Sequence, residues 1–486
     1  MFKLFLPHFS IWHLILLAGD IGAFFLSVLA GLFFNPKAGP QPLDLLYRHA
    51  FAMSLVGGVY MAVLYIADLY DYRQDFRNRM NMARLVSAAW LGTLTVVLLF
   101  YFPLGAFIGR ILLVMQAATF CLLLVIWRVI FSAVAPHRRL ERPLYIVGAG
   151  RAGRELLAAI RERPGSGLTV KGFVDDDPEK AGTIIQGLPV LGDSSRMPEI
   201  LNGSGGCVAA VAITHEKSPG LISHLSQASW SGCQVMDMPT LYEFLADKIP
   251  IDHISDVWVF LNSLHPPRHY LKFKRLMDLI LALLGLMVTG LLYPFIALAI
   301  KLDSPGPVFF RQERLGQEGR PFRIIKFRTM VEEAEIEGPQ FASPDDPRIT
   351  RVGWVLRKLR LDELPQLINI IRGEMSFVGP RPEREVFIRE FQEPVTEYRP
   401  GRRASDPPGT LVACGFRENV PYYSYRLLVK PGLTGWAQVM LPYASSLDES
   451  REKLMYDLYY IKNMGFFLDV GILLKTVRTV LFGRGT

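Results

Sequence analysis

Four apolar runs in the first 135 residues constrain this chain more than any other feature. Residues 11–34, 49–66, 86–102 and 111–131 each approach or exceed the ~20 residues with which a helix crosses a bilayer. The chain is 50% hydrophobic and its mean hydropathy is +0.25, as fits a membrane component. The first run is longer than a signal-peptide core, and no A-x-A-like cleavage site precedes the second, so it is expected to be retained. The loops suggest an orientation. Residues 67–85 carry Arg73, Arg77, Arg79 and Arg84, and Arg138, Arg139 and Arg142 follow the fourth run, whereas residues 35–47 hold only Lys37 and residues 103–109 no basic residue. By the positive-inside rule, both ends of the expected four-helix transmembrane bundle, residues 1–135, face the cytoplasm. Asp20, within the first span, is either a functional carboxylate or a polar contact between packed helices, and the second is the expectation.

Beyond residue 142 the pattern changes to that of a soluble α/β domain, expected over residues 142–262. A short β-type run, residues 144–147, leads into Gly148-Ala-Gly150-Arg-Ala-Gly153 and a helical pattern. A second strand, residues 168–174, then ends at Asp175. This is the strand, G-x-G-x-x-G, helix, strand, acidic-residue order of a Rossmann-like fold, whose glycines let the backbone approach a pyrophosphate at a helix N-terminus. Gly148, Gly150, Gly153 and Asp175 are therefore a candidate nucleotide site. The domain equally suits a spacer and oligomerisation unit, because no Ser-Tyr-Lys set supplies nicotinamide chemistry. Tyr270 and Lys274 have the spacing of a dehydrogenase pair, but they lie outside the domain in a basic run, which suits a juxtamembrane role.

The net charge is +8, and the basic residues gather beside apolar runs and in the C-terminal half. That balance fits anionic lipid head groups and phosphorylated substrates. No zinc-finger, homeodomain or RNA-recognition signature points to nucleic acid as a partner. Cys121, Cys207, Cys233 and Cys414 are scattered without a C-x-x-C pair and read as thiols in a reducing compartment.

A fifth apolar run, residues 276–300, opens the C-terminal α+β domain expected over residues 270–486. It would extend ~38 Å as one helix, enough to span. Lys272, Lys274 and Arg275 precede it, however, and Lys301, Arg311 and Arg314 follow, so both ends prefer the cytoplasmic side. With Pro294 breaking its second half, the run is expected to be a re-entrant helix-break-helix. Residues 322–328 alternate apolar and basic residues as a half-buried strand does, and Lys326 and Arg328 carry charges suited to a diphosphate. Asp362 and Glu363 then stand between basic residues at an expected helix start. Asp362 suits the N-cap, Pro365 the first turn and Gly373 the helix end. A carboxylate so placed would be held ionised, available as a nucleophile or metal ligand; the plainer reading is a capping Asp beside a solvated Glu. Trp436, in a glycine-punctuated turn, is a base-stacking aromatic or a core residue. Residues 455–462 and 466–482 read as amphipathic helices, the latter apolar enough for a membrane surface.

Five segments in order carry a resemblance: Phe322-Arg-Ile-Ile-Lys-Phe-Arg-Thr-Met330, Leu361-Asp-Glu-Leu-Pro-Gln366, Val378-Gly-Pro-Arg-Pro-Glu383, Pro431-Gly-Leu-Thr-Gly-Trp-Ala-Gln438 and Asp457-Leu-Tyr-Tyr-Ile-Lys-Asn463. From residue 273 onward the chain resembles the catalytic domain of bacterial sugar transferases of the monotopic phosphoglycosyl transferase family. The preceding spans and Rossmann-like domain resemble its large, WbaP-like branch. Tyr293-Pro294 stands where family members often have Ser-Pro, and the loop at residues 399–418 is longer than usual. The resemblance implies that Asp362 attacks the β-phosphorus of a UDP-sugar, releasing UMP and leaving a sugar-phosphoryl aspartate that polyprenyl (undecaprenyl) phosphate then attacks. It implies that Glu363, with Asp362, holds Mg2+, and that Lys326, Arg357 and Arg381 position phosphates, with Arg328 and Gln438 completing the substrate-binding set. It further implies a homodimer in the bacterial inner membrane, catalytic domain on the cytoplasmic face, starting exopolysaccharide, capsule or O-antigen synthesis. Two other classes stay open on the sequence: a membrane-anchored NAD-dependent nucleotide-sugar dehydratase, and a non-catalytic assembly scaffold.

Overall fold

The computed structural model describes residues 11–33, 50–70, 74, 76–101, 110–134, 142–163, 166–201, 206–213, 218–262, 264, 266–332, 346–384, 421–441 and 447–481. The loop at residues 399–418, Cys414, and the loop charges Lys37, Arg73, Arg138 and Arg139 lie outside the described residues. The chain divides into two compact units, Met1–Glu141 and Arg142–Thr486.

In the first unit the apolar runs form helices α1 (Ile11–Phe33), α2 (Ala50–Ile66), α3 (Arg79–Val96) and α4 (Arg110–Val134). The stretches Trp12–Phe33, Arg79–Leu99 and Val114–Val134 are long and apolar enough to cross a membrane; α2, at 17 residues, falls below that length. Phe24, Tyr60 and Phe120 meet at the centre, with Tyr60 and Phe120 rings 4.7 Å apart. Asp20 has a partner: Arg128 on α4 donates to its carboxylate at 2.7 Å, with both side chains fully buried. Arg128 also donates to Leu69 O at 2.6 Å and stands over the Phe76 ring. Buried charges persist only when paired and hydrogen-bonded, and here the pair joins α1 to α4.

The second unit opens with a parallel sheet in the order β2-β1-β5-β6. Its elements are β1 (Arg142–Val147), α5 (Arg151–Glu162), β2 (Leu168–Val174), a small antiparallel pair β3 (Ile184–Ile185) and β4 (Leu188–Pro189), α6 (Met197–Leu201), β5 (Val208–Val211), α7 (Pro219–Trp230), β6 (Gln234–Asp237) and α8 (Met238–Ala246). β1 and β5 are wholly or mostly buried, as central parallel strands are. At Gly153 a Cβ would lie 2.0 Å from Gly148 O, so only glycine lets α5 pack this closely on the turn that precedes it.

The boundary expected at residue 262 is bridged by packing. Ile249, Ile251, Trp258 and Leu264, on and around α9 (Asp256–Leu261), share one core with Val378, Tyr423, Trp436, Leu454 and Tyr459. The chain continues through α10 (Arg268–Gly290) and α11 (Tyr293–Asp303), bent by 58° at Leu291 and Leu292. The break thus precedes Pro294, which sits in the first turn of α11, where its missing N–H costs nothing. An antiparallel hairpin follows, β7 (Phe309–Leu315) and β8 (Pro321–Phe327). Then come α12 (Arg351–Lys358), α13 (Gln366–Arg372), β9 (Ser376–Val378), its parallel partner β10 (Gly432–Thr434), α14 (Trp436–Met440), α15 (Leu447–Lys462) and α16 (Phe466–Leu481).

Tyr270 and Lys274 both reach α16. The Tyr270 hydroxyl donates to Asp469 Oδ2 at 2.7 Å and Lys274 Nζ to the same oxygen at 2.5 Å, while Tyr460 donates to Oδ1 at 2.8 Å. Removing this buried carboxylate strands an ammonium without a counter-charge, which costs about 3–5 kcal/mol. Asp469→Ala is therefore expected to lower the melting temperature of the detergent-solubilised protein by several degrees. An unchanged melting curve would show that the cluster does not hold α10 to α16.

Candidate active site

The alternation expected in residues 322–328 is that of β8: Phe322, Ile324, Ile325 and Phe327 are buried, and Lys326 is half-buried beside the carboxylate pair. That pair is not where a cap would put it. Leu361–Glu363 forms a single 3-10 turn entered through Arg360 in the left-handed region (φ 56°), and α13 starts only at Gln366 with Pro365 at its cap. The N-cap expectation for Asp362 is thereby corrected; the helix stop at Gly373 (φ 83°) stands. A left-handed conformation is costly for arginine, and such strain is tolerated where surrounding contacts overdetermine it.

Asp362 is 8% exposed, and its Oδ1 is buried without a hydrogen-bond partner. Glu363 Oε1 accepts from Lys326 Nζ at 2.8 Å, and Arg381 stands 3.8 Å away. The two acids respond oppositely to this setting. Burial, then the neighbouring Glu363 charge, pushes the Asp362 carboxyl up to about 6 against the pull of Lys326, Arg360 and Arg357. Burial also acts on Glu363, but the charges of Lys326, Arg381 and Arg360 outweigh it and hold that carboxyl down at about 2. The stabilisation expected from a helix terminus for the ionised form of Asp362 is not what this setting supplies: its Oδ1 is buried without a partner, beside a Glu363 that takes the ion pair.

Around the pair, Arg357 Nε donates to Thr329 Oγ1 at 2.9 Å, which sets that guanidinium at the end of β8. Arg328 is committed elsewhere. Only 6% exposed, it donates to Ser304 O and Pro305 O, each at 2.7 Å, and so fixes the turn after α11. Gln438 lies on α14, and among the described residues no hydrogen bond or ion pair joins it to Asp362 or Glu363. Trp436 is a core residue: its Nε1 donates to Asp247 O at 2.9 Å and its ring stacks on Tyr459.

Sequence reasoning missed two contributors. Arg360 lends its charge to both acids from the strained position. Asn369, fully buried, accepts from Ile325 N at 3.1 Å and donates to Arg323 O at 2.8 Å, so it clamps α13 to the strand that carries Lys326. One amide among Leu367, Ile368, Ile370 and Ile371 was the available signal. Among the described residues no three His, Cys, Asp or Glu side chains gather as a metal-binding group. Two adjacent carboxylates, one with an unpartnered buried oxygen, nevertheless suit a hard divalent cation that completes its shell with phosphate oxygens and water.

At the glycine-rich turn, Gly148 N donates to Val174 O at 2.7 Å, and Gly150 sits at the N-terminus of α5. Asp175 accepts from Ala149 N at 2.6 Å and lies 3.4 Å from Lys180 Nζ, so the acid is spent on the turn itself.

Family models match in two places: bacterial sugar transferase over residues 269–483 and CoA-binding domain over residues 65–204. The chain is 40% identical to the UDP-N-acetylgalactosamine-undecaprenyl-phosphate N-acetylgalactosaminephosphotransferase of Aeromonas hydrophila over 54% of its own length and 55% of that protein's. It is 31% identical to the undecaprenyl-phosphate glucose phosphotransferase of Komagataeibacter xylinus, covering 71% of this chain and 60% of that one. The UDP-glucose:undecaprenyl-phosphate glucose-1-phosphate transferase of Escherichia coli K12 is 30% identical over 70% of this chain and 68% of its own. The chain thus spans little more than half the length of some of these relatives and two thirds of others. With its carboxylate pair, flanking cations and this coverage, it belongs to the bacterial sugar transferase family.

Proposed function

We propose that this protein transfers a sugar-1-phosphate from a UDP-sugar to polyprenyl (undecaprenyl) phosphate, the step that starts exopolysaccharide, capsule or O-antigen synthesis. The observation that carries this reading is the buried, unpartnered Asp362 Oδ1 beside a Glu363 held anionic by Lys326 and Arg381. In the first half-reaction an Asp362 oxygen attacks the β-phosphorus. A carboxylate oxygen–phosphorus bond forms, the bridge to the α-phosphate breaks, and UMP leaves with the electron pair. In the second, an oxygen of polyprenyl phosphate attacks the same phosphorus and Asp362 leaves as carboxylate. Two bulky anions thereby use one site in turn. A buried carboxylate whose Oδ1 has no hydrogen-bond partner is poorly solvated, which suits a nucleophile. Lys326, Arg357, Arg360 and Arg381 surround the pair with positive charge for the diphosphate.

Asp362 and Glu363 would hold Mg2+, which supplies neutralisation of charge building on the phosphate oxygens. The membrane arrangement belongs to the same reading: four N-terminal spans, an inner-membrane protein with its site on the cytoplasmic face, a homodimer, and α10–α11 entering and leaving the same leaflet. The 58° bend and the outward Met287, Val288, Leu291, Phe295 and Leu298 support the re-entrant hairpin. For the Rossmann-like domain we infer a structural role, since Asp175 already caps its glycine turn. The dehydratase alternative gains nothing, because Tyr270 and Lys274 converge on Asp469.

Asp362→Asn is expected to lower UMP release from a radiolabelled UDP-sugar by about 10³-fold or more and to abolish label on the protein. Retained turnover with retained label would exclude the covalent route. A panel of UDP-sugars scored the same way names the sugar. In metal-free protein the Asp362 carboxyl, followed by carbon-13 NMR, is expected to titrate near pH 6, so the nucleophile is lost as pH falls through that value. In Glu363→Gln the midpoint should move down, because a like charge is gone; an unmoved midpoint would refute the coupling. Light scattering in detergent checks the dimer: a mass of one chain contradicts it.

A further inference from the structure

Glu363 has a cation on either side, and the two are held differently. Lys326 belongs to β8. Arg381 stands on a turn, and the β9–β10 ladder fixes only the approach to it: Gly379 N donates to Thr434 O and Gly432 N to Pro380 O, each at 2.9 Å. Among the described residues beyond Arg381, no such ladder follows. Leu315 N donates to Glu383 O at 3.1 Å and Arg314 to Pro382 O at 3.5 Å, and a buried side chain, Arg426 in the 3-10 stretch Tyr423–Leu428, reaches Arg381 O itself.

Arg426 is 7% exposed. Its guanidinium donates to the Tyr423 hydroxyl at 2.5 Å and to Arg381 O at 3.4 Å, and lies 3.5 Å from the Glu383 carboxylate. Asp457 on α15, 1% exposed, faces its Nε at 2.8 Å, an ion pair bent too far for a hydrogen bond. The guanidinium also lies over the Tyr423 ring. Burying an arginine with two carboxylates is a poor route to stability, because apolar residues of similar volume do as well or better. What a planar fork with several donors supplies is fixed geometry. Here it reaches the backbone at Arg381 O and the side-chain carboxylate of Glu383, both just C-terminal to the Arg381 side chain, and ties them to α15 through Asp457.

We infer that Arg426, with Asp457 as its counter-ion, is a positioning residue that sets the reach of Arg381 toward Glu363. The inference rests on the proposed transfer reaction. A lysine here keeps the charge but not the fork.

The test is a double-mutant cycle on the full-length protein in detergent. Arg426→Lys is expected to lower kcat/KM for the UDP-sugar 10- to 100-fold, and Tyr423→Phe, which removes one hydroxyl partner, about threefold. In an Arg381→Ala background both changes should cost less than twofold more, because there is no guanidinium left to aim. Losses that simply add, or an unchanged kcat/KM in Arg426→Lys, overturn the inference. Should the wild-type protein release UMP from no UDP-sugar, the transfer reading fails, and reaction of Arg381 with phenylglyoxal, mapped by peptide mass, decides this point alone. Arg426→Lys should speed that labelling several-fold, with Tyr423→Phe as the milder control if the lysine variant does not fold; unchanged labelling in the folded variant overturns the inference.

Discussion

The carboxylate pair depends on the grip of the bent helix pair α10–α11 on the segment that carries it. Arg275 donates to Ile370 O at 2.6 Å and Ile371 O at 2.8 Å, two carbonyls in the last turn of α13. At the other end, Tyr293 donates to Leu364 O at 3.0 Å, one residue beyond Glu363. Asp278 accepts from Phe377 N at 3.0 Å, and Leu367 packs against the helix at Gly285, where a Cβ would come within 3.3 Å. The apolar bent helix pair and the polar turn that carries the two carboxylates are thus one mechanical piece. Under the proposed reading, whatever depth the hairpin takes in the lipid is the depth of Asp362, which suits a phosphate borne by a lipid.

The electrostatics follow from that placement. A 3-10 turn packed on a hairpin leaves Asp362 desolvated with one oxygen unpartnered, while its neighbour takes the ion pair. Two adjacent acids in one field are therefore driven apart, the Asp362 carboxyl upward and the Glu363 carboxyl downward, the usual way environment separates like groups. Lys326 comes from a strand clamped by Asn369, and Arg381 from a turn gripped by Arg426. The cations are consequently preorganised, and charge on a diphosphate would meet them without rearrangement.

Much of this was legible because it is local. Apolar runs became α1 to α4, the strand-glycine-helix order became β1 and α5, and alternation at residues 322–328 became β8. What escaped depends on contacts distant in sequence. Asp362 looks like a cap until the turn at Arg360 shows otherwise. Arg328 and Arg381 are both arginines in basic motifs, yet Ser304 and Pro305 claim the first and leave the second half-exposed. For Trp436 the sequence leaves open a stacking aromatic or a core residue, and Asp247, nearly two hundred residues earlier, decides for the core by holding its indole. Arg426 carries no motif of its own, and its importance appears only once Arg381, Glu383 and Asp457 converge on it.

The central claim is that Asp362 carries the sugar phosphate between two acceptors. Its most direct measurement is a single-turnover reaction of the wild-type protein with a UDP-sugar in the absence of polyprenyl phosphate, followed by peptide mass mapping. The account predicts a burst of about one UMP per active site and a sugar-phosphate adduct on the peptide containing Asp362. No burst and an unmodified peptide, in protein that turns over normally once polyprenyl phosphate is added, would contradict it.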